Sequence, residues 1–144
     1  MDETFNLKPN DLKEGKEKLS KRILLAEDYT SARESYVRLL TRRGYTVDAV
    51  ENGQLLLDKL TDEKGKYDLV ITDNTMPKIT GIEALQQIRQ NERFRNLPVI
   101  VNSGDVGDTI RKAVESLGGI YIMKGGPTEV FLKTIVEAIS VSSE

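Results

Sequence analysis

The segment Tyr67-Asp-Leu-Val-Ile-Thr72, followed by Asp73, contains a short apolar run that ends in a carboxylate. A run of this length, bounded by polar residues, is typical of a strand buried on both faces of a parallel sheet. Two comparable runs occur along the chain, one before it at Ile23–Ala26 and one after it at Pro98–Ser103. The sequence therefore predicts apolar central strands whose ends carry polar side chains.

Helical patterns separate these predicted strands, and polar residues precede several of the helices. Thr80-Gly-Ile-Glu83 is a capping box, and Ser31–Glu34 has the same spacing. Asp108 is expected to cap a later helix, while Thr46–Val50 and Ile120–Met123 are predicted as the second and fifth strands. Strand and helix alternate five times, which predicts an α/β fold with a doubly wound parallel sheet and helices on both faces.

The composition excludes several classes of function. The 144 residues carry a formal net charge of -2, so there is no global basic field and we expect no direct contact with nucleic acid. Neither cysteine nor histidine occurs, so any metal must be held by oxygen ligands, which favours Mg²⁺ or Ca²⁺. The sequence shows no signal peptide or membrane-spanning run. We expect a cytoplasmic chain with no membrane contact.

Charged and hydroxyl side chains follow four of the five predicted strands. The first strand ends in Glu27 and Asp28, the third in Asp73, the fourth in Ser103 and the fifth in Lys124. The carboxyl ends of parallel strands meet at one edge of the sheet, where ligands bind. Three carboxylates repel one another unless a cation neutralises them. The pattern therefore predicts a divalent-cation site suited to phosphoryl transfer, with a carboxylate as the attacking group.

Five blocks of sequence occur in a fixed order along residues 21–140. They are Ile23-Leu-Leu-Ala-Glu27-Asp28, Arg43-Gly44-Tyr45 with Glu51-Asn52-Gly53, Asp73-Asn-Thr-Met76-Pro77-Lys-Ile-Thr-Gly81, Pro98-Val-Ile-Val-Asn-Ser103-Gly104 and Tyr121-Ile-Met-Lys124. With these blocks at these spacings, residues 21–140 resemble the receiver domain of two-component response regulators, in particular the chemotaxis regulators. The resemblance implies a flavodoxin-like, five-stranded sheet in the order 2-1-3-4-5.

The resemblance also implies a role for each residue at the predicted sheet edge. Asp73 would accept the phosphoryl group in a Mg²⁺-dependent reaction. Asp28 would bind Mg²⁺ directly, Glu27 would act through water, and the backbone carbonyl of Thr75 would be a further ligand. Lys124 would pair with the phosphoryl group. The domain would not be an enzyme in the usual sense, because it would catalyse only its own phosphorylation and dephosphorylation.

Ser103 and Tyr121 would form the switch that the family uses. Ser103 would move to hydrogen-bond the phosphoryl group, and Tyr121 would turn inward, changing a protein-interaction face on the last two helices and the fifth strand. Because the chain has no histidine, a histidine kinase, a histidine phosphotransfer protein or a small phosphodonor must supply the phosphoryl group. We expect the signal to leave through a downstream protein target or through the rest of a larger chain.

Two features depart from the common pattern of the family, and residues 1–20 differ in composition from the rest of the chain. The family usually has proline directly after the lysine, often with a cis bond, whereas Lys124 is followed by Gly125-Gly126-Pro127. Thr75 and Asp105 occupy positions that border the path of hydrolytic water in this family. Residues 1–20 are charged and poor in apolar residues, which favours an N-terminal extension or linker, with an extra packed helix as the alternative. Residues 21–144 are predicted to form the receiver domain.

Three other functions are compatible with parts of the pattern. A pseudo-receiver would keep the fold as a phosphorylation-independent interaction module, and binding to a partner without a phosphodonor would distinguish it. A phosphatase with an aspartate nucleophile usually carries a second aspartate two residues later, where this chain has Thr75. A nucleotide- or flavin-binding protein is disfavoured because no glycine-rich phosphate-binding motif follows a predicted strand.

Overall fold

Five parallel strands alternate with five α-helices in the computed structural model, which describes residues 20–62, 67–105 and 107–142. The strands are β1 (Arg22–Ala26), β2 (Thr46–Val50), β3 (Leu69–Asp73), β4 (Val99–Ser103) and β5 (Ile120–Met123). The helices are α1 (Thr30–Arg42), α2 (Gly53–Asp62), α3 (Gly81–Gln90), α4 (Thr109–Ser116) and α5 (Thr128–Ser142), and a short 3-10 helix, Glu92–Phe94, follows α3.

The strands lie in the order β2-β1-β3-β4-β5, and every neighbouring pair is parallel. This arrangement confirms the predicted doubly wound, flavodoxin-like α/β fold. The prediction that residues 1–20 form an extension or linker falls, apart from Ser20, outside the described residues and stays a prediction. No helix in the described parts of the chain is long and apolar enough to cross a membrane.

The central strands are buried because both of their faces are covered by helices. All five residues of β3 and of β4 are buried. Alternate residues belong to two clusters: Val70 packs in one with residues of α2, α3 and α4, and Ile71 packs in the other with residues of α1 and α5. Complete burial of one such side chain contributes about 1.5–3 kcal/mol, so the strands anchor the sheet edge that follows them.

The predicted helix starts are confirmed in one case and corrected in another. Thr80 Oγ1 accepts from Glu83 N at 3.1 Å, and Thr80 N donates to Glu83 Oε1 at 2.8 Å, which is the predicted capping box. The cap predicted at Ser31 is wrong, because α1 begins at Thr30 and Tyr29 occupies the N-cap position without a side-chain bond. The backbone N–H of Tyr29 donates instead to the carboxylate of Glu27 at 3.1 Å.

Asp108 occupies the N-cap position of α4 as predicted, but its side chain makes no capping bond. Its backbone is in the helical region rather than the extended region that a capping side chain needs. The Asp108 carboxylate instead accepts from Arg111 Nη2 at 2.6 Å. The third strand begins at Leu69, two residues later than predicted, and the Asp68 side chain before it accepts from Arg22 N at 2.8 Å.

Arg89, near the end of α3, joins three separate segments at the edge of the sheet opposite the predicted site. Its guanidinium donates to the carbonyl oxygens of Leu117 and Gly118 after α4, at 2.7 and 3.1 Å. It also donates to the carbonyl oxygens of Phe94 and Leu97 before β4, at 3.2 and 2.8 Å. The planar fork of an arginine can serve four acceptors at once, which a lysine cannot do.

Replacing Arg89 by alanine is expected to lower the free energy of unfolding by about 2 kcal/mol, because four carbonyl oxygens lose a charged donor. Arg89→Lys should recover only part of the loss. Arg38→Ala is the matched control, since Arg38 makes one exposed contact with Ser35. Urea unfolding of the three variants measures the effect, and an equal loss in Arg38→Ala would contradict the role of Arg89.

Candidate functional site

Three carboxylates lie together at the carboxyl edge of the sheet. Glu27 and Asp28 directly follow β1, and Asp73 is the last residue of the adjacent β3. One carboxylate oxygen from each of the three lies within 4.8 Å of the others, so the group could hold a metal ion. Glu27 and Asp73 are buried, whereas Asp28 is exposed. The cluster is therefore open to solvent on the side of Asp28.

Lys124, directly after β5, reaches into this cluster from the opposite side. Its ammonium lies 2.9 Å from Asp73 Oδ2 and 3.2 Å from Glu27 Oε1. Burial, the largest influence, lowers the pKa of Lys124, but the hydrogen bond and charge of Asp73, with the charge of Glu27, outweigh it and raise the pKa. Lys124 is therefore charged at neutral pH and held against Asp73, although Gly125 and Gly126 follow it in sequence.

Glu27 is the most deeply buried member of the cluster, with 1% of its surface exposed. Oε2 accepts from Tyr29 N, while Oε1 has no well-aligned hydrogen-bond donor and faces the ammonium of Lys124. Burial raises the pKa of Glu27, the Tyr29 hydrogen bond opposes this, the charge of Asp73 raises the pKa further and Lys124 lowers it. A buried carboxylate oxygen without a full partner is one that a bound cation satisfies.

The donor set fits a hard divalent cation. Three carboxylates and one ammonium leave an excess of negative charge when all are ionised, and their oxygen ligands are those that Mg²⁺ prefers. The backbone carbonyl of Thr75, which follows β3 by two residues, remains a predicted ligand. The Thr75 side chain is exposed.

The two predicted switch residues meet at a third residue, Asp105. Ser103 Oγ accepts from Asp105 N at 3.1 Å, and the Tyr121 hydroxyl donates to Asp105 O at 3.2 Å. Ser103 is 1% exposed, and Tyr121 is half-buried. The β4–α4 loop is thus tied to both side chains through its backbone. Their movement on phosphorylation stays a prediction.

The segment after Lys124 differs from the proline that the family usually has there. The described residues contain no cis peptide bond, and Gly125 has a φ of +84°, in the left-handed region that favours glycine. A Cβ at Gly125 would meet nothing within 4 Å, so this glycine serves the turn rather than a close approach. The backbone of Lys124 is held without a proline, since its backbone N–H donates to the Ser103 carbonyl at 2.9 Å.

Asn74 is a buried residue of this region to which sequence reasoning assigned no role. Its side-chain oxygen accepts from Ile82 N at 3.0 Å, and its carbonyl accepts from Gly81 N at 3.0 Å. Its own N–H donates to Asn102 O at 2.8 Å. Asn74 therefore fixes the start of α3 against the end of β3. Asparagine commonly bonds to nearby backbone, but a partner eight residues away is not visible in the sequence.

Solved structures with this fold cover most of the chain and define its class. A CheY-like receiver domain protein from Methanospirillum hungatei has a TM-score of 0.78 and 24% identity, covering 86% of this chain and 97% of its own. The response regulator TrrA of Thermotoga maritima, solved with Mg²⁺ and BeF, has a TM-score of 0.72 and 28% identity. The match covers 82% of this chain and 98% of TrrA. The class is therefore the CheY-like receiver fold.

Sequence relatives narrow the class to a family. The chemotaxis protein CheY of Pseudomonas aeruginosa is 32% identical over 120 residues, which are 82% of this chain and 94% of that protein. The cyclic-nucleotide phosphodiesterase regA of Dictyostelium discoideum is 40% identical over 87 residues, which are 60% of this chain but 11% of that protein. The sensory/regulatory protein RpfC of Xanthomonas campestris is 37% identical to this chain over 101 residues, which are 14% of that protein.

The family model for the response regulator receiver domain matches residues 23–135. The chain therefore belongs to the response regulator receiver family of two-component signalling, whose members are signalling modules rather than conventional enzymes. Several relatives are much longer than the stretch they share with this chain, so their full activities concern segments that it does not match.

Gly81 is expected to be intolerant of a side chain because a Cβ there would lie 2.6 Å from Asp73 O and 2.9 Å from Asn74 Cα. Gly81→Ala should cost about 1–3 kcal/mol of stability, as overpacking of a close backbone contact does. Gly104→Ala is the matched control, since a Cβ there meets nothing within 4 Å. Thermal unfolding compares the two variants. An unchanged melting temperature in Gly81→Ala would show that the backbone near Gly81 shifts at little cost and would contradict the prediction.

Proposed function

We propose that this chain accepts a phosphoryl group on Asp73 in a Mg²⁺-dependent reaction and passes the signal on by changing a protein-interaction face. The observation that supports this most directly is the 2.9 Å contact between Lys124 Nζ and Asp73 Oδ2 inside a group of three carboxylates. An aspartate in such a group can be both nucleophile and metal ligand, and the lysine offsets charge beside it.

In the proposed reaction a carboxylate oxygen of Asp73 attacks the phosphorus atom of the donor. The bond between phosphorus and the donor nitrogen or oxygen breaks, the leaving group keeps the electron pair, and an acyl phosphate forms on Asp73. Lys124, already beside the attacking carboxylate, pairs with the phosphoryl oxygens. Bound Mg²⁺ supplies positive charge that offsets the charge of the transferring group. Hydrolysis of the acyl phosphate by water resets the domain.

The residues proposed to hold Mg²⁺ are Asp28 and Asp73 directly, Glu27 through water, and Thr75 through its backbone carbonyl. This assignment is supported by the cluster geometry and by the buried, incompletely partnered Oε1 of Glu27. The related TrrA binds Mg²⁺ and BeF in its solved structure. Mg²⁺ usually takes one or two carboxylates plus water and phosphate oxygens, which suits a cluster that is open beside Asp28.

The proposed switch uses the contacts at Asp105. Ser103 Oγ accepts from Asp105 N, so a Ser103 that turns to the phosphoryl group gives up this bond. The Tyr121 hydroxyl donates to the carbonyl of Asp105, so a movement of the β4–α4 loop also changes the hydrogen bond of Tyr121. The phosphoryl group shifts the population by bonding Ser103 in one state only. The changed face lies on α4, β5 and α5.

A histidine kinase or histidine phosphotransfer protein is the proposed donor, since the chain itself contains no histidine. The relatives include the sensory/regulatory protein RpfC and the autoinducer sensor kinase/phosphatase CqsS of Vibrio cholerae, which is consistent with such a partner. The proposed recipient is a downstream protein or the remainder of a larger chain, with neither nucleic acid nor membrane contacted directly, in the cytoplasm.

The second candidate function is a pseudo-receiver that binds partners without phosphorylation. The Gly125-Gly126 turn favours it, because two glycines replace the proline that usually follows the lysine, and a Cβ at Gly125 would meet nothing within 4 Å. The two functions differ in one observable. A pseudo-receiver gains no phosphoryl group at Asp73 and binds its partner equally well with and without a phosphodonor.

Incubation with Mg²⁺ and acetyl phosphate is expected to phosphorylate the protein, and Asp73→Asn should abolish the uptake because the attacking carboxylate is gone. A phosphate-affinity gel and intact mass measure the product. Asp58→Asn, at an exposed position of α2, is the matched control and should be phosphorylated like the parent. Amide shifts with beryllofluoride should reach Tyr121. No uptake by the parent would overturn the proposal and favour the pseudo-receiver. Equal uptake by Asp73→Asn would overturn Asp73 as the acceptor.

Mg²⁺ should raise the melting temperature of the parent protein, and Asp28→Asn should remove most of this effect. At a concentration of 100 times Kd the gain is about 2.7 kcal/mol. Because burial raises the pKa of Glu27 above its ordinary value of 4.5, protons should compete with the metal before the pH falls to that value. Differential scanning fluorimetry across pH measures both effects. A gain that persists unchanged in Asp28→Asn would remove the cluster as the site.

A further inference from the structure

Two of the three clustered carboxylates belong to a short irregular segment between β1 and α1. β1 ends at Ala26 and α1 begins at Thr30, so Glu27 and Asp28 lie outside both regular elements. Their carboxylate oxygens nevertheless lie within 4.8 Å of each other and of an oxygen of Asp73. The contacts that fix this segment therefore decide how well the cluster is formed.

Arg33, in the first turn of α1, reaches back to the same segment with a partly buried side chain. Its Nη1 donates to the Glu27 carbonyl oxygen at 2.9 Å and lies 3.5 Å from the Asp28 carbonyl oxygen. Among residues 20–62, 67–105 and 107–142, no carboxylate forms an ion pair with Arg33. The guanidinium therefore contacts the backbone of the two acidic residues and leaves their carboxylates to the cluster.

Glu27 is held by the start of α1 at two separate points. Its Oε2 accepts from Tyr29 N at 3.1 Å, and its carbonyl oxygen accepts from Arg33. The circuit is closed by the helix itself, because Arg33 N donates to Tyr29 O at 2.9 Å. A planar guanidinium donates in a fixed geometry, which the single ammonium of a lysine does not reproduce. Without Arg33, Glu27 would keep only the contact at its carboxylate.

We propose that Arg33 is a positioning residue of the metal site, which holds the backbone of Glu27 and Asp28 so that their carboxylates stay beside Asp73. The inference rests on the Mg²⁺ site of the proposed function and extends it to a residue of α1 that contacts only backbone oxygens of the acidic pair. Groups that orient metal ligands from outside typically change metal affinity by about 10- to 100-fold when they are removed.

The sign of the change in Mg²⁺ affinity separates this role from a simple effect of charge. Arg33 is a cation close to a cation site, so removal of its charge alone would strengthen Mg²⁺ binding by Coulomb's law. Loss of the backbone contacts has the opposite effect, because Glu27 and Asp28 are then less well placed. A positioning residue therefore weakens Mg²⁺ binding when it is replaced, whereas a merely repulsive charge strengthens it.

The test measures Kd for Mg²⁺ from amide shifts of nitrogen-15 protein, without any phosphodonor. Arg33→Ala should raise Kd by about 10- to 100-fold. Arg33→Lys should raise it too, because it keeps the charge but loses the planar donor. Arg38→Ala removes a charge from the same helix, where Arg38 contacts only Ser35, and should change Kd by less than about twofold because salt screens an exposed charge. An unchanged or lower Kd in Arg33→Ala overturns the inference.

A second readout needs no metal. In metal-free Arg33→Ala, the amide proton of Tyr29, which donates to Glu27, should exchange with deuterium faster than in the parent. The amide of Ile71, buried in β3, should exchange as before. Equal acceleration at both amides would show a general loss of stability and overturn the positioning role.

Phosphorylation by acetyl phosphate distinguishes this inference from the function on which it rests. Arg33→Ala should need more Mg²⁺ for half-maximal uptake and yet approach the parental rate at saturating Mg²⁺, since Asp73 and Lys124 are unchanged. A parent that shows no Mg²⁺-dependent shift overturns the proposed metal site and this inference with it. A parent that binds Mg²⁺, with Arg33 variants that bind it equally well, overturns the role of Arg33 alone.

Discussion

The repulsion among Glu27, Asp28 and Asp73 is the constraint on which the functional edge of this protein depends. Three carboxylates with oxygens within 4.8 Å of one another can be held together only by a rigid support and by positive charge. The apolar strands β1 and β3 provide the support, since their buried residues fix where each carboxylate emerges. Lys124 provides part of the charge from across the sheet. The negative charge that remains is what suits this edge to a cation.

The same constraint makes the edge sensitive to its occupant. The Lys124 ammonium contacts both buried carboxylates, so any group that binds Asp73 must share or displace that contact. Lys124 is linked through its N–H to the Ser103 carbonyl, and the Ser103 side chain is linked to Asp105. Changes at Asp73 can therefore reach the β4–α4 loop through adjacent contacts. Asn74 restrains the segment between β3 and α3, because it fixes the start of α3 to the end of β3.

At the opposite edge of the sheet the fold is held by interactions that do not take part in this chemistry. The guanidinium of Arg89 joins the ends of α3 and α4 to the segment before β4 through four carbonyl oxygens. This separation is useful in a signalling domain. The site edge can rearrange while the far edge keeps the helices in register, since the two sets of contacts share no residue.

The sequence by itself determined the α/β class, because the spacing of apolar residues is a local signal of strands and helices. It also determined the carboxylates and the lysine at the strand ends, because ligands in such folds bind at the carboxyl ends of the parallel strands. It misplaced the cap of α1 at Ser31 and assigned nothing to Asn74 or Arg89. The error at Ser31 is local, because the Glu27 side chain accepts from Tyr29 N two residues away. Only the tertiary structure decided the roles of Asn74 and Arg89, since packing brings their distant partners Asn102 and Leu117 beside them. It also decided that Lys124 reaches Asp73 despite Gly125 and Gly126, because a distant backbone bond to Ser103 holds it.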